Sequence, residues 1–186
     1  MLNLENALEL TDFYRVLFDN EQLELDEKTL KRLDDSFSFL KDFSENKIIY
    51  GVNTGFGPMA QYKIENEDRI NLQLNLIRSH AAGAGEVMEP LYVKALMLAR
   101  LNTLCLGKSG IHSSVAKTMI EMINQDVTPL IFEHGGVGAS GDLVQLAHLA
   151  LVLIGEGEVF YKGKRRPTRE VFEELNIEPA RIEIRE

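Results

Sequence analysis

Residues 134–150 read HGGVGASGDLVQLAHLA and set one serine, Ser140, among four glycines. Glycine loses more conformational freedom on folding than any other residue, so such crowding implies a backbone that must go where a side chain would block it. Three readings fit the local pattern. Gly136, Gly138 and Gly141 match G-x-G-x-x-G, after the apolar Leu130-Ile131-Phe132 and before a helical run, with Glu158 spaced as a ribose ligand would be. That is the pattern of a dinucleotide-binding loop, with the pyrophosphate on the helix N-terminus. A second reading is a plain glycine-rich connection. The third is chemical. The Gly141 amide nitrogen can attack the Ala139 carbonyl, and loss of one water closes a five-membered imidazolone. Loss of the Ser140 hydroxyl as a second water then leaves an exposed methylidene, an electrophile that no ordinary side chain supplies. A phosphate-binding P-loop is excluded because no Gly-Lys-Ser/Thr follows. A hydrolase nucleophile elbow is excluded because Asp142 stands where the second Gly of G-x-S-x-G is needed.

The surrounding chain bounds the choice. The 186 residues suffice for one ordinary domain with a real core, and 45% hydrophobic with 26% charged residues is a globular composition. A net charge of −9, with no basic tract, argues against nucleic acid or an anionic membrane as partner. No apolar run reaches membrane-spanning length, and the charged start MLNLENALELTD is unlike a signal peptide. The single cysteine, Cys105, allows no internal disulfide, fits a reducing cytoplasm and reads as inert core. No His/Cys/Asp/Glu spacing suggests a metal site.

Helices must carry most of the fold. Thr11 is the expected cap of a short helix holding Phe13, Val16 and Leu17, and Asp26 caps a second with Leu30, Leu33, Phe37 and Leu40 in helical register. KIIYGV, 47–52, reads as a short strand entering the glycine turn NTGFGP. From about Asn66 to Ala82 the pattern is helical, with Ile70, Leu74 and Ile77 on one face and Leu72 and Leu76 on another, which predicts burial on more than one side. Pro90 opens an apolar helix that Gly107 ends, and another runs from about Ser113 to Asp126 until Thr128-Pro129. Asp142 is the expected cap of Leu143–Ile154, which halts at Gly155. EVFYKGKRRPT reads as a hairpin turning at Gly163, REVFEEL as a short helix, and the terminal RIEIRE as a strand cut inside a larger protein. His112 and His134 read as loop or cap residues, and His148 as a structural histidine.

Three ordered motifs then resemble one family. Ala139-Ser140-Gly141 within GGVGASGDLVQLAHLALVLIGEGE resembles the signature of the aromatic amino acid ammonia-lyases, which act on histidine, tyrosine or phenylalanine. Val144-Gln145 departs from the Ala-Pro of many members. Tyr50 to Gly57, YGVNTGFG, resembles the family's tyrosine loop, and NLIRSHAAG, 75–83, its substrate-selecting helix. The resemblance covers about residue 10 to the end, and only the N-terminal part of a family chain.

The resemblance implies a mainly α fold, the L-aspartase/fumarase-like helical superfamily, with residues 1–186 as the N-terminal portion and a small strand-containing loop region near Tyr50. It implies non-oxidative deamination with release of ammonia, histidine to urocanate or tyrosine to p-coumarate. The cofactor would be 4-methylideneimidazol-5-one (MIO), made from Ala139, Ser140 and Gly141, with no metal and no nucleotide. Tyr50 would be the general base for the β-hydrogen. Gly55 and Gly57 would let the loop approach the substrate. Asn53 would bond near the MIO or order the loop. Ser79 and His80 would face the substrate side chain: Ser-His resembles histidine lyases, although such a pair also accepts a phenol. Intact relatives are homotetramers with shared active sites, so the portion alone is expected to be inactive.

Overall fold

The structure is a computed structural model that describes residues 1–45, 47–64, 66–137 and 143–183, with the backbone only at Asn66 and Glu67. Residues 138–142, which hold Ala139, Ser140, Gly141 and the expected cap Asp142, lie outside them. In chain order the elements are β1 (Leu2–Asn3), α1 (Leu10–Phe18), β2 (Leu23–Glu24), α2 (Glu27–Ser44), a 3-10 turn (Gly57–Met59), α3 (Asn66–His80), β3 (Ala84–Val87), α4 (Pro90–Cys105), α5 (Ser113–Asn124), β4 (Thr128–Pro129), β5 (Phe132–His134), α6 (Leu143–Leu153), β6 (Glu158–Tyr161), β7 (Lys164–Pro167) and α7 (Thr168–Leu175). Helix dominates and the strands are short, as the sequence predicts.

The core is built on α4 and α5. Met97, Leu98 and Leu101 of α4 meet Ala116, Met119, Met122 and Ile123 of α5, all buried. Proline at the first position of α4 starts it without forfeiting a helix hydrogen bond. Gly107 ends it at φ +67°, its N–H returning to the Leu104 carbonyl at 2.9 Å. His112 caps α5, its Nδ1 accepting from the Ser114 N–H at 3.2 Å. Leu33 of α2 and Val16 of α1 close the core from one side, and Leu149, Val152 and Leu153 of α6 from the other. The segment after α7 returns over this surface, where the Ala180 N–H donates to the Leu153 carbonyl at 2.8 Å. Among the described residues no helix is long and apolar enough to cross a membrane.

The strands are ties between helices. β1 and β2 form a two-residue parallel pair, β3 and β5 an antiparallel ribbon, and β4, β6 and β7 a three-stranded sheet. The β6–β7 hairpin turns through Lys162 and Gly163, both at positive φ, which matches the strand twist.

Several local expectations need correction. Glu9, not Thr11, precedes α1, and its N–H donates to the Asp12 carboxylate at 3.0 Å. KIIYGV forms no strand: the Val52 and Asn53 N–H groups fold back to the Ile49 carbonyl, so the stretch is a turn. α3 buries only a narrow side at Gln73 and Ile77, while Ile70 is 45% exposed. Residues 181–183 make no strand, and 184–186 lie outside the described residues. His134 stands in β5 rather than in a loop.

Candidate functional site

The Tyr50 loop is held by two side chains that act as backbone. Asn53, 1% exposed, accepts from the Ile49 N–H at 2.7 Å and donates to the Ser44 and Lys47 carbonyls at 3.0 and 2.6 Å. These bonds occupy groups that a strand partner would otherwise take, which is why the β-branched run does not become a strand. Asn53 therefore orders the loop. Thr54, equally buried, accepts from the Gly51 N–H and donates to the Gly55 carbonyl. The return strand of the loop is pinned by the Ile64 N–H to the Asn53 carbonyl at 2.9 Å.

The two glycines of the motif have different reasons. A Cβ on Gly55 would stand 2.7 Å from the Met59 carbonyl oxygen, so the loop's own backbone forbids it. Gly57 has open space around it but sits at φ +52°, a conformation that L side chains rarely adopt. Tyr50 is 62% exposed, with its ring edge-on to Phe56 at 5.9 Å and its hydroxyl accepting from the Gly57 N–H at 3.3 Å.

Ser79 and His80 close α3. The Nδ1 of His80 lies 2.9 Å from the Leu76 carbonyl, and the Ser79 hydroxyl donates to the same oxygen at 3.1 Å. A carbonyl can only accept, so this contact places the proton on Nδ1 and leaves Nε2 for other company. Tyr50, Phe56 and His80 line one cavity of about 610 Å³, whose remaining walls come mainly from apolar residues of α4, α5 and α6. Ser79, Asn53 and Gly57 are not on that wall. Arg100 of α4 is, and the sequence reading passed over it; its signal was a guanidinium inside the apolar run LMLARLNTL.

The glycine stretch is described at its two ends. Gly135, at φ +147°, comes so near α6 that a Cβ there would meet Val144 Cγ1 at 2.5 Å. The chain leaving β5 and the chain entering α6 are therefore in contact. β5 itself pairs antiparallel with β3, and the carboxylate of Glu158 is held by Arg165 across the hairpin. Neither is the setting of a doubly wound dinucleotide site, which needs parallel strands and a free acidic group. His148 is buried, accepts from the Gly83 N–H and lies against Phe132, with burial lowering its pKa.

The fold has close counterparts. It superimposes on a phenylalanine aminomutase of Pantoea agglomerans with a TM-score of 0.90 at 31% identity, over 98% of this chain and 35% of that one. It matches the histidine ammonia-lyase of Trypanosoma cruzi at 0.83 and 32% identity, over 95% and 34%. This is the aromatic lyase and aminomutase fold of the aspartase/fumarase-like helical superfamily. Residues 8–186 also match the family model described as aromatic amino acid lyase, and the chain belongs to that family. A relative called probable histidine ammonia-lyase, from Thermoplasma acidophilum, is 39% identical over 181 residues, which are 97% of this chain and 36% of that protein. The chain thus spans little more than a third of the length of the curated relatives it matches.

Proposed function

We propose that this chain carries part of the machinery that removes ammonia from an aromatic amino acid, giving urocanate from histidine or p-coumarate from tyrosine. The observation that carries the reading is the shared cavity of Tyr50 and His80, a base and a side-chain reader on one apolar wall. The β-hydrogen is a very weak acid and ammonia a poor leaving group, so the reaction needs both a base and an electrophile. Tyr50 serves as the base at its Oη, the edge of Phe56 and the Gly57 N–H setting the ring's direction. His80 offers Nε2 to an imidazole N–H or a phenol O–H. Asn53 serves by fixing the loop, and Ser79 by orienting His80, whose Nδ1 lies 3.1 Å from the Ser79 hydroxyl.

Ala139, Ser140 and Gly141 are the proposed source of an MIO group, which would supply the electrophile for the amine. The contact between Gly135 and Val144 supports that role in one respect: it ties together the chain on either side of the segment. The rest of the site is expected from a longer chain, assembled as a cytoplasmic homotetramer, with the present portion inactive alone.

The test is mass measurement on the full-length protein. The peptide holding Ala139-Ser140-Gly141 should weigh two waters less than its sequence. Ser140→Ala should lose only one of them and nearly all turnover. An unmodified triplet in an active enzyme would sink the MIO reading.

A further inference from the structure

We infer that His148 is a positioning residue: as a neutral imidazole it pins the end of α3 to α6 and so sets where His80 stands in the cavity. Its Nε2 lies 2.9 Å from the Gly83 backbone nitrogen. An N–H can only donate, so Nε2 must carry the lone pair and Nδ1 the proton. The ring also lies edge-on to Phe132 of β5 at 5.4 Å. Gly83 is required by this approach, because a Cβ there would meet Nε2 at 2.9 Å, the Phe132 Cβ at 3.1 Å and the His134 carbonyl oxygen at 3.3 Å. The turn between α3 and β3, and β5, thus converge on one ring of α6.

His80 stands three residues before Gly83, and the turn between them is tight, with the Ala82 N–H donating to the His80 carbonyl at 2.8 Å. A shift at Gly83 therefore reaches His80 with little slack. The exposed Arg78–Glu156 pair joins α3 to the chain just after α6. Solvent weakens such a pair, whereas the acceptor of the part-buried Gly83 bond is the buried His148 ring. Burial of the imidazole also favours the neutral form that the bond needs. The inference rests on the reading of His80 as a substrate contact.

The experiment uses the full-length enzyme. His148→Phe keeps a ring against Phe132 but cannot accept from Gly83. His148→Gln offers an oxygen near the place of Nε2. For His148→Phe we expect KM for the preferred amino acid to rise about tenfold with kcat changed less, and Gly83 amide exchange to quicken by about tenfold. His148→Gln should bring both to within about threefold of wild type. His148→Asn, whose oxygen falls short of Gly83, is the second variant should the phenylalanine protein fail to fold, and should behave as expected of that protein. In a His80→Ala background, replacing His148 should leave KM unchanged. Wild-type KM in both acceptor-deficient variants, or the same loss with and without His80, overturns the inference. The mass of the Ala139-Ser140-Gly141 peptide separates the two ideas: an unmodified wild-type triplet defeats the proposed chemistry, while Gly83 exchange still reports on the pin.

Discussion

Tyr50 is the proposed base. The ring is open to the cavity and its hydroxyl meets one backbone N–H. Tyr50→Phe keeps the Phe56 contact, so the thermal midpoint should move little. Turnover should fall about a hundredfold or more, the usual scale for losing a general base. Near-wild-type turnover in a variant with a dehydrated triplet would make Tyr50 a packing residue. His80 gives the matching test of selectivity. With Nδ1 turned to Leu76, Nε2 is the group a substrate would meet. An unpaired polar group in a closed site costs roughly 1–3 kcal/mol. His80→Phe should therefore weaken turnover of histidine and tyrosine and favour phenylalanine, shifting the ratio of kcat/KM by about two powers of ten or more. Equal losses for all three substrates would mean that His80 only supports the helix.

Among the elements, α2 depends most visibly on its cap. Asp26 accepts from the Thr29 N–H at 2.9 Å and from its hydroxyl at 2.8 Å, and these bonds hold its carboxyl below the usual carboxylate value of 3.8. Asp26→Ala should cost about 1 kcal/mol of stability at neutral pH. A carboxyl with a lowered folded pKa stabilises above its unfolded value and ceases to do so as pH falls through the folded one. The difference between wild type and Asp26→Ala in urea unfolding should accordingly shrink in acid below about pH 4. A difference that stays constant down to pH 2 would show that the carboxylate is not what matters. α3 is the contrasting element: it keeps Ile70 exposed, and its narrow buried side pairs Ile77 with the polar Gln73.

For the molecule as a whole, Cys105 is a built-in reporter. It is 2% exposed in the core, and burial pushes its thiol up to about 11, only partly offset by the nearby Arg32 guanidinium. The thiolate is the reactive form, so the native chain should resist iodoacetamide at pH 8. Labelling should follow the fraction unfolded across a denaturant series. Rapid labelling without denaturant would mean that α4 and α5 do not form a closed core in the isolated chain. Such a result would bear on this chain and not on one of the relatives' length, which is nearly three times as long.

The sequence alone determined the long elements and the family. Apolar spacing set α2, α4 and α5, proline and glycine set both ends of α4, and three motifs carried the resemblance that the family match bears out. These are local signals, written in neighbouring residues. Tertiary structure decided what depends on distant partners. KIIYGV has strand-forming residues, but Asn53 captures its backbone; β3 and β5 exist only because each finds the other across nearly fifty residues. The joining of Tyr50 with His80 on one cavity, and of Gly83 with His148 at 65 residues' separation, likewise follows from packing between elements, which no run of neighbouring residues encodes.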